Sequence, residues 1–153
     1  MSKKNKRVEI LNEPKTQKHT KSAIEPNNYD KLPASWGFSK LIRGGKWDVS
    51  ADDWKIWNNK ILPQLMKFEG MTWAQIKVIP KDGKNGGNKH HHVPIESFTE
   101  AGKKEVKKYN LHYDEMFSLR LSNLERIFGV LDKGILHIIW YDDKHEICKI
   151  KNR

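Results

Sequence analysis

The stretch 117–145, FSLRLSNLERIFGVLDKGILHIIWYDDKH, decides the fold that we predict for this chain. It contains three short runs of alternating apolar residues, separated by turn signals at 122–123 and 132–134. Alternation over four to eight residues with Ser, Asn, Asp and Gly between the runs is typical of β-strands joined by tight turns. The stretch therefore predicts an antiparallel meander.

The alternation assigns the side chains of the meander to two faces. The face predicted to be buried under helices carries Phe117, Leu119, Leu121, Ile127, Leu131, Leu136, Ile138 and Trp140. The other face carries two arginines among mixed side chains: Ser118, Arg120, Arg126, His137 and Tyr141, beside Phe128 and Ile139.

The two arginines are predicted to lie close together. The first turn places Arg120 near Arg126, and the second places Arg126 opposite residues 139–141. Facing like charges destabilise a sheet by up to about 1 kcal/mol unless an anion lies between them. An RNA phosphate is such an anion. The alternative is that both arginines are solvated and paired with nearby carboxylates of Glu115, Glu125 or Asp143.

Composition favours a single soluble domain with a polyanionic partner. The 153 residues suffice for one domain with a core, and 29 Lys and Arg against 19 Asp and Glu give a formal net charge of +10. Such an excess favours a polyanion or an acidic protein as partner. One cysteine, Cys148, excludes a disulfide framework and fits a reducing cytoplasm. No apolar run approaches the ~18 residues that span a bilayer, so we predict a cytoplasmic protein without membrane contact.

The chain divides into two parts by composition. Residues 1–33 are rich in Lys, Asn, Glu, Thr and Pro without periodicity, which predicts a flexible basic arm. Residues 34–153 are predicted to form the folded domain. Its elements before the meander are a strand over 34–42, a helix over 51–68 interrupted at Pro63, a short helix opened by the capping box Thr72–Gln75, and a helix following Pro94. The predicted fold is α+β, with two or three helices on one face of an antiparallel sheet.

Histidines are the main candidates for chemistry besides the arginines. His90, His91 and His92 follow a basic loop, and adjacent residues of an extended chain point to opposite sides, so only His90 and His92 could share a metal ion. No spacing of Cys or His resembles a zinc site, and we predict no metal and no cofactor. Imidazoles also serve acid–base chemistry near pH 7. His145 past the last strand and His137 within it are candidates for that role, the alternatives being a turn residue and a packed residue.

Three segments of the meander carry a family resemblance: LRL at 119–121, ERI at 125–127 and IWYDDKHE at 139–146. With the order of strand, helices and then sheet, they resemble the RelE/ParE toxin superfamily. The resemblance covers residues 34–149, whereas the N-terminal arm and the segment 81–92 have no counterpart.

This resemblance implies a metal-independent endoribonuclease that cleaves messenger RNA, often on the ribosome, and is held inactive by an antitoxin, here expected to be acidic. It implies that Arg120 and Arg126 bind phosphate, that His145 handles a proton, and that Tyr141 positions the RNA or stacks on it. A second proton handler would come from Lys89, His90, His91 or His92. Residues expected to contact nucleic acid are Lys89, His90, His92 and His137.

A fold does not establish an activity, and two alternatives remain at this stage. The chain could be a non-catalytic RNA- or ribosome-binding protein, which would bind RNA with a steep salt dependence and leave it intact. It could also be a protein-interaction module, such as a phage factor that binds an acidic host protein. In that case, mutation of an apolar patch would abolish binding and neutralisation of the arginines would not.

Overall fold

A computed structural model describes residues 26–49, 54–82 and 87–148. In chain order its elements are a 3₁₀ helix (Pro26–Lys31), β1 (Ser35–Gly37), α1 in three consecutive segments (Trp54–Ile56, Trp57–Ile61 and Leu62–Glu69), α2 (Trp73–Lys77), β2 (His91–Pro94), a 3₁₀ turn (Ile95–Ser97), α3 (Glu100–Lys108), β3 (Glu115–Arg120), β4 (Arg126–Asp132) and β5 (Ile135–Asp142). The predicted α+β class is confirmed. None of the helices in these ranges combines the length and the apolar character needed to traverse a bilayer.

The strands form one mixed sheet in the order β1-β5-β4-β3-β2. β1 runs parallel to β5, and all other neighbours are antiparallel. The predicted meander is confirmed as β3, β4 and β5. The edge strand β2 is absent from the sequence-based prediction, because its four residues are too few to show a period of two.

Apolar side chains pack on both faces of this sheet. One face, which we call the α1 face, packs against α1 and α2 and carries Phe117, Leu119, Ile127, Leu136, Ile138 and Tyr141. The opposite face, which we call the arginine face, carries Met116, Phe128, Ile139 and Trp140 in a second core under α3, and Arg120 and Arg126 beyond that core. The prediction that all helices lie on one face is therefore wrong. The apolar residues of the second face suffice to build a core of their own.

A β-bulge in β5 changes the assignment of side chains to faces. Phe128 pairs with Trp140, and Gly129 pairs with Ile138, so Ile139 is an extra residue in β5. Because side chains alternate with a period of two, one extra residue moves all later side chains to the opposite face.

The bulge explains where the prediction of faces fails. Strict alternation assigns Trp140 to the α1 face, but Trp140 is buried on the arginine face, with its ring centroid 5.6 Å from that of Trp47. Tyr141 in turn lies in the core of the α1 face. The prediction that Tyr141 shares a face with the arginines is therefore wrong.

Helix α1 accommodates a proline without breaking. Its middle segment, Trp57–Ile61, is a π turn, and Pro63 follows within the next α-helical segment. Proline lacks an N–H and clashes with the preceding turn of a regular α-helix, and a wider turn relieves this conflict. The predicted helix is confirmed from Trp54 onward, whereas 51–53 lie outside the described residues.

The folded part begins before the boundary drawn from composition. The carbonyl oxygen of Leu32 accepts the N–H of Trp73 at 3.2 Å, and Asp30 forms an ion pair with Lys77 at 2.7 Å. Residues 26–33 therefore pack against α2, whose capping box of Thr72 and Gln75 is confirmed. The remainder of the predicted arm, 1–25, lies outside the described residues.

The segment after β5 is fixed against α3. The hydroxyl of Thr99, the N-cap of α3, accepts the N–H of Gly102 at 3.1 Å and donates to the carbonyl of Glu146 at 2.7 Å. A Cβ on Gly102 would lie 2.9 Å from the carbonyl oxygen of Ile147, so glycine permits this close approach. These contacts hold the segment that contains His145 beside the arginine face.

Candidate nucleic-acid interface

Arg120 and Arg126 face each other at one end of the arginine face. They are direct partners in the register of β3 and β4, and such partners have Cβ atoms about 4.5–5.5 Å apart. The predicted proximity is confirmed. Asp142, one residue beyond the predicted range, lies opposite Arg126 because the bulge shifts the register by one.

Oxygen atoms of the β3–β4 turn hold both guanidinium groups. Arg120 donates from Nε to the carbonyl of Ser122 at 2.9 Å and from Nη2 to Oδ1 of Asn123 at 2.8 Å. Arg126 donates from Nη1 to the carbonyls of Asn123 at 3.2 Å and Leu124 at 2.8 Å. Among the described residues, no carboxylate forms an ion pair with either arginine. Both guanidinium groups are thus fixed in place, and each, with five N–H groups, keeps donors for an anion.

The charges at this end of the sheet repel one another. Burial lowers the pKa of Arg126, the charge of Arg120 lowers it further, and Asp142 acts in the opposite direction. Asp142 is fully buried, and its carboxylate accepts the N–H groups of Glu146 at 3.0 Å and Ile147 at 2.8 Å. Its oxygens therefore hold the segment after β5, and a bound anion would relieve the repulsion between the arginines.

His145 lies in that segment, beside the arginines. Its backbone has a left-handed φ of 58°, which is uncommon for a residue other than glycine. Burial lowers the pKa of His145, and the charges of Arg126 and Arg120 lower it as well, against the opposing effect of Asp142. The imidazole is therefore neutral at pH 7 and able to accept a proton. The structure thus brings together three of the four residues predicted to be catalytic.

The fourth predicted residue, Tyr141, and the predicted contact residue His137 lie elsewhere. The hydroxyl of Tyr141 donates to Oε1 of Glu125 at 2.6 Å on the α1 face. His137 is on the arginine face, but it precedes Asp142 by five residues of β5, which corresponds to about 16 Å at the rise of a strand. Its ring packs against β1. Neither side chain is brought to the arginine pair.

The three consecutive histidines occupy different environments. His90 is 2% exposed, and its Nδ1 accepts the backbone N–H of Arg120 at 3.0 Å. Burial, followed by nearby positive charges, lowers the pKa of His90 to about 4. His90 therefore supports the end of β3 instead of presenting its ring to a ligand. His92 points to the α1 side, where its Nδ1 lies 3.2 Å from Oε1 of Glu115 and its ring contacts Phe117.

His91 is the histidine of this run that lies on the arginine face. It is exposed and pairs with Ser118 of β3. The neighbouring Lys89 forms an ion pair with Asp82 at 3.3 Å. The sequence alone does not distinguish the face of His91 from the faces of His90 and His92. His91 lies two residues before the buried Val93, and this spacing assigns its face only once β2 is known.

The described residues of the interface include neither a cluster of metal ligands nor a reactive thiol. Within the described ranges, no three His, Cys, Asp or Glu side chains come together as a metal site. Burial, reinforced by Asp142, raises the pKa of the Cys148 thiol to about 12, so the thiol stays protonated and unreactive at neutral pH. Shallow depressions of about 430 and 480 Å³ lie away from the arginines, beside Tyr113 and along α3.

Comparison of this chain with protein-family models, with curated proteins and with solved structures finds no significant match. Function is therefore argued from the residues and the geometry of the interface alone.

Proposed function

We propose that this protein is a metal-independent endoribonuclease and that its α+β domain is RelE-like. The observation that supports the proposal is the combination of two facing guanidinium groups, which form no ion pair with a carboxylate of the described residues, and an imidazole whose pKa is lowered, all at one end of the sheet. Guanidinium groups match the oxygens of a phosphate by paired hydrogen bonds. RNA supplies both that phosphate and its own nucleophile, the 2′-hydroxyl, so the reaction requires no cofactor.

Each residue of the interface has a role in this reaction. His145 takes the proton of the 2′-hydroxyl, whose oxygen then attacks the adjacent phosphorus. Arg120 and Arg126 donate hydrogen bonds to the non-bridging oxygens as negative charge develops there. Fixed donors aimed at developing charge contribute most of the rate enhancement in many enzymes. The oxygens of the turn that hold the guanidinium groups fix their positions before substrate binds.

The charge of the whole chain supports RNA over a small phosphate ester. A net charge of +10 strengthens binding to a polyanion through the release of counterions. Lys81 adds to the positive potential at His145, which indicates that the basic surface extends beyond the two arginines. A strand of RNA can occupy such an extended surface, whereas a mononucleotide cannot.

The biological role that we propose with this activity is that of the toxin in a toxin–antitoxin pair, acting in the cytoplasm on messenger RNA. Its antitoxin is expected to be an acidic protein, because the surface that it must cover is basic. Expression of the chain in a bacterium should then arrest growth and produce RNA fragments, and co-expression of a small acidic protein from the neighbouring reading frame should relieve the arrest.

A non-catalytic RNA-binding protein is the second candidate. It is favoured by the four hydrogen bonds from the arginines to the turn, which give both side chains a structural role. In that case the interface binds RNA by charge and leaves it intact.

Cleavage of a labelled RNA separates the two candidates. The full chain is incubated with a 5′-labelled oligoribonucleotide of mixed sequence, once in EDTA without ribosomes and once with translating ribosomes in a magnesium-containing buffer. We expect fragments that end in a 2′,3′-cyclic phosphate, and we expect His145→Ala to lower the cleavage rate about 10²-fold or more, the usual contribution of a general base.

The matched control is His112→Ala, which removes an exposed imidazole from the loop between α3 and β3 and should leave the rate unchanged. Intact RNA under both conditions, with binding that weakens steeply in salt, would transfer the assignment to the second candidate. Absence of both cleavage and binding would overturn both.

A further inference from the structure

The outer side of α3 carries a second group of positive charges. Lysines occupy four of the nine positions of this helix: Lys103, Lys104, Lys107 and Lys108. Residues three and four apart are neighbours on a helix surface, so these side chains form one continuous surface, which we call the lysine face. Since α3 packs with Ala101 and Val106 against the arginine face of the sheet, the lysine face lies on the side of the molecule that carries Arg120 and Arg126.

The carboxylates of α3 leave most of this charge unpaired. Glu100 lies 3.9 Å from Lys103, and Oε2 of Glu105 is buried and turned away from the lysine face. The other three lysines are exposed and form no ion pair with a described residue. Lys108 also lies over the ring of Tyr109, 5.3 Å from its centroid, a contact that leaves the ammonium group charged. The lysine face therefore keeps three ammonium groups that an anionic ligand can contact.

The segment after β5 connects the arginine pair with the first turn of α3. His145 lies beside the arginines, and the carbonyl of the next residue, Glu146, accepts the hydroxyl of Thr99 at the N-cap of α3. The carboxylate of Glu146 forms an ion pair with Lys46 at 3.0 Å, which offsets the negative charge between the two basic groups. At a rise of 1.5 Å per residue, the last lysine lies about 14 Å from the N-cap along the helix. A polymer can contact both groups at once.

We infer that the lysine face is a second RNA-binding site, which holds phosphates of the same strand several nucleotides away from the phosphate at Arg120 and Arg126. This inference rests on the proposed function, because it takes RNA as the ligand of the arginine pair. Lysine ammonium groups act on phosphates as point charges, and contacts to phosphates carry no sequence information. The lysine face therefore raises the affinity for long RNA of any sequence.

Salt dependence measures how many phosphates this site holds. The full chain is compared with the variant Lys104→Gln/Lys107→Gln/Lys108→Gln, since glutamine is about as good a helix former as lysine. The probe is a fluorescently labelled single-stranded RNA with a 2′-O-methyl group in place of every 2′-hydroxyl, so that it cannot be cleaved. Each phosphate contact contributes about 0.7 to the slope of log affinity against log salt concentration.

The triple variant should therefore lose about 2 in slope. Its affinity should be about 10²-fold lower than that of the unmodified chain near 0.1 M salt, and the two affinities should converge near 1 M, where the release of counterions no longer contributes. On cleavable RNA of the same sequence, the KM of the variant should rise by a similar factor.

The matched control is Lys31→Gln/Lys55→Gln/Lys133→Gln, which removes the same number of positive charges at exposed sites outside both basic groups. Its slope should equal that of the unmodified chain. Circular dichroism checks that both variants are folded.

Two results would overturn the inference and leave the endoribonuclease activity of the unmodified chain in place. They are an unchanged slope in the α3 variant and an equal loss of slope in both variants, which would assign the effect to net charge alone. RNA that is bound and never cleaved would overturn the proposed activity, and the slopes would still test the lysine face. Absence of RNA binding by the unmodified chain would overturn both.

Discussion

The two faces of the sheet are built on the same strands but differ in what they carry. The α1 face is filled along its length by apolar residues of α1, α2 and β3–β5. The arginine face has its core under α3, and beyond that core the two facing arginines with His145 beside them. The comparison teaches that the face proposed to bind RNA is also a packed face. Core residues such as Trp140 fix the strands that carry the charged groups.

Removal of the bulge should test whether the pairing of β4 with β5 fixes this division. Phe128 pairs with Trp140 and Gly129 with Ile138, so deletion of Ile139 would leave a regular ladder with Trp140 still on the arginine face and Tyr141 still on the α1 face. We expect the deletion variant to fold, with a loss of about 2–5 kcal/mol of unfolding free energy because a buried isoleucine leaves the second core. Near-ultraviolet circular dichroism, which reports packed tryptophans, is the measurement.

The matched control for the deletion is Ile139→Val, which keeps the number of residues and should cost only about 1 kcal/mol of unfolding free energy. A folded deletion variant without the native tryptophan signal would show that the faces of Trp140 and Tyr141 depend on the bulge.

The buried imidazole below the arginines should make stability depend on pH. The pKa of His90 is about 4 in the folded state against 6.5 as its ordinary value, so between these values the unfolded chain binds a proton that the folded chain does not. Stability should therefore fall as the pH decreases from 6.5 to 4, by an amount on the order of 3 kcal/mol, and level off below that. Urea unfolding at a series of pH values measures this.

The variant His90→Gln removes the titrating group and should flatten the slope between pH 6.5 and 4. His112→Gln, which changes an exposed imidazole, should leave the slope as it is. A slope that persists in His90→Gln would assign the acid sensitivity to other groups, such as His92 and His145, whose pKa values are also lowered.

Loss of one arginine should separate function from folding. Arg120→Ala is expected to lower RNA cleavage about 10²-fold, equivalent to about 2.7 kcal/mol of transition-state stabilisation. Arg120→Lys keeps the charge but loses the paired hydrogen bonds. Its cleavage rate should therefore lie between that of Arg120→Ala and that of the unmodified protein. Rates are measured where thermal unfolding shows each variant to be folded, because Arg120 also holds the turn.

Arg43 is an exposed arginine outside the interface, and Arg43→Ala serves as the control for lost positive charge. Equal rates for Arg120→Ala and Arg43→Ala would show that Arg120 contributes only to general charge and not to the phosphate site.

The smallest expected effect concerns Tyr141, which the α1 face holds away from the arginines. Tyr141→Phe removes the hydrogen bond to Glu125 and should lower the unfolding free energy by about 1 kcal/mol. Cleavage by the folded variant should be unchanged. Tyr113→Phe is the control at a partly buried site on the other core, where the hydroxyl accepts a hydrogen bond from Lys40 at 3.3 Å. A loss of cleavage in Tyr141→Phe that exceeds its loss of stability would restore a catalytic role to this residue.

Much of the fold follows from local signals. The turns at 122–123 and 132–134 define the meander, and Thr72 with Gln75 defines the start of α2. The bulge could not be predicted, because residues 138–141 are all apolar or aromatic, and such a run fits either register. The sequence could not predict that His90 is buried and accepts a backbone hydrogen bond. Its environment is formed by β3 and by Phe68 of α1, which are distant from His90 in the chain.

The sequence by itself determined the positive charge, the turns, the capping box and the proximity of Arg120 to Arg126, because these depend on composition or on residues close in the chain. Tertiary structure alone decided that Tyr141 leaves the arginine face, that His90 is buried and that His145 lies beside the arginine pair. Those outcomes depend on a one-residue shift within β5 and on the pairing of β2 with β3, and the packing of the two cores selects both.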